Sequence, residues 1–203
     1  MLILLFKVFR KIKGIFVSPI YTPLAYLLFY LNNVEIKSGL KAAGLLKIDV
    51  TRRGKVNIGQ NLHVNSGDNF NIIGRQQKTI FWVEGELSIG DNVGMSATAI
   101  ICNHQITIGN NVTIGGGVCI YDTDFHNLDP LIRNDKTLDK QTAIKLPVLI
   151  EDNVFIGAHS TILKGVTIGE NSVVGACSVV AKNIPPNEIW AGNPAKFIRK
   201  NKC

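Results

Sequence analysis

The sequence predicts an all-β solenoid, a parallel β-helix of short strands, and three observations carry that expectation. An aliphatic residue recurs every six positions: Ile150, Ile156, Ile162, Ile168, Val174 and Val180 follow without a miss. Glycine, asparagine and other turn formers gather between them, as in IGAHST, IGENSV and VGACSV. Charged residues are only 18% of the 203-residue chain, whereas glycine occurs 19 times. That balance suits buried short strands joined by tight turns. A period of six matches neither the 3.6 of a helix nor the 2 of an ordinary strand.

Each six-residue unit suits one short strand and one corner, the aliphatic side chain turned inward and Gly, Asn or Asp making the bend. Three units close a triangular coil of about 18 residues. Ile150 then stacks on Ile168, Ile156 on Val174 and Ile162 on Val180. Four residues after the aliphatic positions stand Val154, Ser160, Val166, Ser172 and Ser178, all small or β-branched. The same pattern fits IGNNVT and IGGGVC from Ile108, IGDNVG from Ile89 and IGQNLH from Ile58. Between Ile89 and Ile108 the phase slips by one residue, so a corner there is irregular.

Two stretches break the repeat. Residues 65–88 keep fragments such as FNIIGR and read as imperfect coils with an insertion. Residues 121–147, YDTDFHNLDPLIRNDKTLDKQTAIKLP, show no repeat and are polar. A long excursion from a rigid scaffold is a common seat of function. The expected organisation is an apolar and basic, partly helical N-terminal cap over 1–50, the β-helix over 51–184 with its excursion at 121–147, and a C-terminal cap over 185–203. Pro185 and Pro186 stop the solenoid, whose open end needs a cover.

The formal net charge is +7, which favours anionic partners. No nucleic-acid module is present, and only Lys7, Arg10, Lys11 and Lys13 form a tight basic group. Residues 14–34 carry no charge, but Pro19, Pro23 and several Tyr interrupt them. This segment reads as a helix packed on the domain or lying on a membrane surface rather than a span. The opening MLILLF has no basic n-region and is too short for a signal peptide. Cys102, Cys119, Cys177 and Cys203 form no C-x-x-C pair and read as reduced thiols. The expected setting is the cytoplasm, with the inner face of the membrane as a contact surface for residues 1–34.

Three landmarks stand in order between Ile108 and Arg199: YDTDFHNLDP, the repeat IGAHSTILKGVTIGENSVVGACSVVAKNIPPN, and AGNPAKFIRK. In these the chain resembles the hexapeptide-repeat O-acetyltransferases that act on maltose, galactosides and nodulation factors, and their polysaccharide-biosynthesis relatives. The likeness is tight over this segment and loose over 54–199. It implies a left-handed coil, an exception to the usual right-handed crossover. It further implies a homotrimer with sites between subunits, acetyl-CoA as cosubstrate, no metal, and acetyl transfer to a saccharide hydroxyl.

Such a transfer needs a base that works near neutrality, and histidine is suited to it. Of His63, His104, His126 and His159, the excursion holds His126, which corresponds to the family's catalytic histidine. Asp124, ahead of Asp122, is the expected carboxylate for orienting the imidazole or binding the acceptor. Asn103 is the expected polar contact to the acceptor. By the same resemblance, coenzyme A lies against Ala158 and Ala176 at coil corners and against Ala181 and Lys182. Lys182, Lys196 and Arg199 are expected to meet its phosphates. With no G-x-S-x-G motif and no cysteine with a recognisable partner, direct transfer is expected rather than a covalent intermediate.

Other readings compete. A γ-class carbonic anhydrase has a similar coil but needs several imidazoles at metal spacing, which these histidines lack. A non-catalytic scaffold and an antibiotic-type acetyltransferase are the remaining alternatives; the DTDFH loop and the AGNPAKFIRK tail argue against the scaffold.

Overall fold

The computed structural model describes residues 2–67, 70, 71, 73 and 77–202, and of residues 9–18 the backbone only. Cys203, part of FNIIGR and the side chains of Arg10, Lys11 and Lys13 therefore lie outside the described residues.

Helix α1 (Leu2–Leu31) leads into the solenoid. The first coil is β1 (Glu35–Ile36), β2 (Lys41–Ala43) and β3 (Lys47–Val50). The second is β4 (Lys55–Ile58), β5 (His63–Asn65) and β6 (Ile80–Val83), and the third β7 (Glu86–Ile89), β8 (Gly94–Ser96) and β9 (Ala99–Cys102). The fourth is β10 (Gln105–Ile108), β11 (Thr113–Ile114) and β12 (Cys119–Tyr121). After the excursion come β13 (Val148–Ile150), β14 (Phe155–Ile156) and β15 (Thr161–Ile162), then β16 (Thr167–Ile168), β17 (Val173–Val174) and β18 (Val179–Val180). The first strands of all coils form one parallel face (A), the second strands another (B), and the third a last one (C). This is a left-handed parallel β-helix with a helical N-terminus and an excursion loop. The first coil lies within residues 35–50, upstream of the repeat, because its strands lack the I-G-x-x signature and carry Lys and Ala instead.

The three stacking pairs expected from the hexads are the observed register: Ile150 on Ile168, Ile156 on Val174, Ile162 on Val180. These side chains are fully buried, and neighbouring coils complete the core of each. The small second position is also buried. Ser160 and Ser178 each donate to the Gly175 carbonyl, at 3.0 and 2.7 Å, and Ser172 donates to the Pro185 carbonyl at 2.8 Å. Their hydroxyls satisfy corner carbonyls that would otherwise be buried unpaired.

Each corner has its own character. Between faces A and B an asparagine takes the left-handed conformation at Asn61, Asn92, Asn111, Asn153, Asn171 and Asn187, with φ from 56 to 60°. Asparagine tolerates that region better than most residues. From Asn61 onward each side-chain amide donates to the oxygen of the next, at 2.9, 3.0, 3.1, 3.1 and 3.0 Å. The phase slip before Ile108 falls on two other corners. Met95 to Ile100 is shortened to five residues and Ile100 to Ile108 lengthened to eight, where Ile156 to Ile162 and Ile162 to Ile168 take six.

Both ends are covered. At the first coil, edge N–H groups of Leu40, Ala42 and Val50 donate to Tyr26 Oη, Thr22 Oγ1 and Asn32 Oδ1 at 3.2, 3.0 and 3.0 Å. Phe29 is buried there, its ring edge-on to Phe81 at 5.6 Å. Polar side chains of α1 and the residue after it thus occupy a sheet edge that would invite pairing. At the other end β19 (Glu188–Gly192) continues face B and turns back as antiparallel β20 (Ala195–Lys200). Lys200 Nζ and Trp190 Nε1 both reach Glu188 at 2.7 Å and hold its carboxyl below the usual range. Among the described residues no helix is long and apolar enough to cross a membrane. The uncharged stretch 14–34 overlaps residues 9–18, whose side chains are not described.

Candidate active site

The site forms on the corner between faces C and A. There the turns at 51–54, 84–85 and 103–104 stack one per coil, and the excursion leaves and returns. Asp122, fully buried, fixes the root of the excursion. Its two carboxylate oxygens accept the N–H groups of Asn103 and His104 at 2.8 and 2.7 Å. Its backbone carbonyl accepts the Leu146 N–H at 2.9 Å, and Asp124 N–H reaches the Ile144 carbonyl at 3.0 Å. The two stems of the loop thereby pair with each other and with the turn beneath.

Beyond the stem, Phe125 adopts φ 63°, an unfavourable conformation for a bulky side chain. Two contacts hold it: its N–H donates to Thr123 Oγ1 at 3.1 Å, and its ring packs edge-on against Tyr121 at 5.3 Å. His126 follows directly. Short helices α2 (Pro130–Arg133) and α3 (Lys136–Thr142) complete the loop. Asp135 caps α3, accepting from Thr137 and Leu138 N–H, the usual work of an N-cap carboxylate. Helix α3 carries the buried Asp139 back under His126.

Asp139 Oδ2 lies 2.7 Å from His126 Nδ1, and its Oδ1 accepts the Asn127 N–H at 2.6 Å. The hydrogen bond from His126, then that from Asn127, hold the Asp139 carboxyl below the usual aspartate range. An ionised carboxylate only accepts, so Nδ1 is the donor in this contact, and in the neutral imidazole the lone pair is on Nε2. Asn127 Nδ2 also donates to Thr142 Oγ1 at 2.8 Å, tying the loop to the end of α3.

The imidazole stands at a cleft of about 450 Å³ whose wall includes Trp82, Ile101, Asn103 and Phe125. Asn103 Oδ1 is buried there without a hydrogen-bond partner among the described residues. A buried acceptor without a donor asks for an explanation, such as a ligand or water. The structure thus brings two expected residues, His126 and Asn103, to one cleft.

As the carboxylate that orients the imidazole, Asp124 is corrected: its carboxylate pairs with Lys164 Nζ at 2.8 Å, both side chains 23% exposed, and it does not line the cleft. Asp139 takes the imidazole instead. Closeness in sequence favoured Asp124; the turn into α3 brings the more distant carboxylate nearer. The only sequence signal for Asp139 was its place in the non-repeating excursion.

The residues expected along coenzyme A divide between two corners. Ala158 and Ala176 occupy successive coils on the corner between B and C, with Cys177 N–H donating to the Ala158 carbonyl at 2.8 Å. The coils approach so closely there that a Cβ on Gly157 would fall 2.4 Å from Ala176 N. Ala181 and Lys182 are exposed on the corner between C and A, and Lys196 and Arg199 are exposed on β20. None of these six lines the His126 cleft. His63 is exposed on face B, His104 is exposed beside Asn103, and His159 sits at a corner with φ 62°. Burial, with the Asp122 carboxylate adding to it, pushes the Cys102 thiol up to about 12, which leaves it a poor nucleophile. Among the described residues no three His, Cys, Asp or Glu side chains group as metal ligands.

A three-faced coil with a histidine–carboxylate pair on an excursion loop defines a class. The family model "Bacterial transferase hexapeptide (six repeats)" matches residues 147–182. "Putative lipopolysaccharide biosynthesis O-acetyl transferase WbbJ" of Escherichia coli is 33% identical over 72% of this chain and 72% of its own length. The chain belongs to the hexapeptide-repeat transferase family. Galactoside O-acetyltransferase of Escherichia coli is 37% identical over 59% of this chain and 60% of that protein. Gamma carbonic anhydrase 2 of Arabidopsis thaliana is 33% identical over 45% of this chain and 37% of that protein. The chain thus spans about half the length of these curated relatives. Among solved structures, a maltose O-acetyltransferase from Clostridium difficile 630 is 29% identical, with TM-score 0.52 over 82% of this chain and 67% of that one.

Proposed function

We propose that the protein is an acetyl-CoA-dependent O-acetyltransferase acting on a hydroxyl of a saccharide or polysaccharide precursor, with His126 as general base. The observation that carries this reading is the His126–Asp139 pair beside the cleft: Nδ1 faces the carboxylate, which frees Nε2 of the neutral imidazole to act as the base. Relatives named for galactoside, maltose and lipopolysaccharide chemistry support the acceptor class. His126 Nε2 takes the proton of the acceptor hydroxyl as its oxygen attacks the thioester carbonyl. The C–O bond forms, the C–S bond breaks, and the proton passes from the imidazolium to the departing thiolate, giving free coenzyme A. The Asp139 carboxylate stabilises the imidazolium between those transfers. Asn103, with its buried unpartnered Oδ1, contacts the acceptor.

Coenzyme A runs along face C in this reading, past Ala158, Ala176, Ala181 and Lys182, with Lys182, Lys196 and Arg199 at its phosphates. Three copies complete three such grooves as a homotrimer, which light scattering would report as a threefold mass. The protein works in the cytoplasm, with residues 1–34 against the inner face of the membrane. Leu2 to Phe6 are all more than half exposed, and no acidic residue precedes Glu35 while Lys7, Arg10, Lys11 and Lys13 do. Co-sedimentation with anionic but not neutral vesicles, lost when those four become Gln, tests that contact.

The test of the activity is free-thiol release from acetyl-CoA with a panel of sugars, glycosides and nucleotide sugars. Acceptor-dependent release that His126→Ala lowers about 100- to 10,000-fold supports the reading. Release unaffected by that substitution, or no binding of acetyl-CoA, overturns it.

A further inference from the structure

The cleft beside His126 borders a second one, and the second is basic. A hollow of about 380 Å³ is walled by Arg52, Arg53, Glu84, Asn103 and Lys145. Glu84, Asn103 and Lys145 also wall the His126 cleft, so the two adjoin along a shared wall. The register explains the shared wall. Thr51 N–H donates to the Val83 carbonyl, and Glu84 N–H to that of Cys102, so the turns holding Arg52, Glu84 and Asn103 stack on successive coils. Two strand spacings of about 4.8 Å put the arginine turn roughly 10 Å from the Asn103 turn. That distance is the reach of a sugar ring with a phosphate attached.

The charges are unbalanced. The carboxylates of the adjoining clefts are Glu84 and Asp139, and both are engaged, by Lys140 at 3.6 Å and by His126 at 2.7 Å. Arg52, Arg53, Lys136 and Lys145 have no carboxylate within 4.0 Å among the described residues. Like charges gathered along a cleft focus a positive potential in it. The guanidinium fork of arginine matches phosphate oxygens two at a time. The wall nearer His126 offers instead Trp82, Ile101 and Phe125, apolar surfaces suited to the C–H face of a sugar ring.

We infer that the acceptor is a saccharide carrying a phosphate ester, whose ring lies against Trp82 and Asn103 and whose phosphate is held by Arg52, Arg53 and Lys145. This rests on the acetyltransferase reading for its hydroxyl chemistry, but not for its binding chemistry. The phosphate fixes which hydroxyl meets His126 Nε2, so Arg52 and Arg53 determine specificity.

Binding to the full-length protein tests it without turnover. Calorimetry would compare glucose with glucose 1-phosphate, with UDP-glucose, and with a polyprenyl-diphosphate-linked glucose in vesicles. At least one phosphate-bearing ligand is expected to bind ten times more tightly than glucose or more, and the tightest arm names the source of the phosphate. The advantage should shrink with added salt and vanish in Arg52→Ala/Arg53→Ala, whereas Arg52→Lys/Arg53→Lys retains part of it. Equal binding of glucose and every phosphate-bearing ligand overturns the inference, as does an advantage that survives the double alanine variant. The two proposals fail separately. Turnover with neutral sugars alone sinks the phosphate site and spares the transferase. Tight, arginine-dependent binding without thiol release does the reverse.

Discussion

The two corners that bound face A differ in one respect that separates scaffold from site. From face A to face B the inward residues are always six apart: Ile58 to Val64, Ile89 to Met95, Ile108 to Ile114, Ile150 to Ile156 and Ile168 to Val174. From face C to face A the spacing varies: ten from Ile48 to Ile58, eight from Phe81 to Ile89, eight from Ile100 to Ile108, thirty from Ile120 to Ile150, and six from Ile162 to Ile168. The constant corner carries an asparagine ladder and none of the residues that wall the His126 cleft or the hollow beside it. The variable corner carries Arg52, Glu84, Asn103, His126 and Asp139. A solenoid gains its rigidity from repetition, and here the histidine–carboxylate pair stands where the repeat is broken and the break is anchored.

Substitutions that sharpen this contrast act on different observables. The largest effect is expected at His126, where alanine should remove the general base while leaving the coil intact. Acetyl transfer should fall about 100- to 10,000-fold with an unchanged unfolding midpoint. Ile162→Ala should do the opposite. Ile162 is fully buried between Ile120 and Val180, and such truncations cost about 2–5 kcal/mol. Denaturant unfolding would report that loss, and transfer per folded molecule should stay near the parent value. If Ile162→Ala abolished turnover in protein still folded, the separation of scaffold from site would fail.

Asp139→Asn is intermediate. It keeps the shape but removes the charge that opposes the imidazolium and accepts from Asn127, and a hydrogen bond to a charged group is stronger than a neutral one. A drop of roughly ten- to a hundredfold is expected in kcat, with little change in KM, because the loss falls on the transition state. The pH dependence follows from the same contact. The folded carboxyl sits below its ordinary value of 3.8. Its stabilising contribution is therefore complete above that value and is lost as the pH falls through the lowered one. Hydrogen exchange of residues 122–147 should be slower in the parent than in Asp139→Asn at pH 6, and the difference should close on acidification below about pH 4. A difference that persists there would assign the anchoring to something other than this carboxylate.

The contrast also explains what the sequence disclosed. The regular corners and the stacking of Ile150 on Ile168 were legible because a strict period of six has one geometric solution. His126 and Asn103 were legible as candidates because one lies in the excursion and the other at the phase slip. Asp139 was not, since its approach to His126 depends on how Asp135 and Phe125 turn the loop, and neither leaves a periodic trace. The role of Asp122 is hidden for the same reason: its two acceptors meet Asn103 and His104 across a coil boundary. The arginine turn is not legible because alignment of Arg52 with Glu84 and Asn103 needs the register of degenerate early coils, where no I-G-x-x marks the corner. Lys182, Lys196 and Arg199 rest on family likeness alone, and in the single chain none of the three lines the His126 cleft.

The smallest expected effect tests the constant corner itself. Asn153 sits at φ 59°, accepts from Asn111 and donates to Asn171 and, at 3.4 Å, to Glu170 Oε1. Alanine there would remove all three side-chain bonds and force a Cβ without polar compensation into the left-handed region, which costs about 1–2 kcal/mol in backbone strain alone. Glycine would remove the same bonds and relax the backbone. If the ladder itself stabilises the coil, Asn153→Gly should still cost about 0.5–1.5 kcal/mol, the net value of an ordinary hydrogen bond, and Asn153→Ala should cost more. If the asparagines serve only to tolerate the turn, Asn153→Gly should be nearly neutral and the whole loss should appear in alanine. Either result leaves acetyl transfer unchanged, because this corner touches neither cleft.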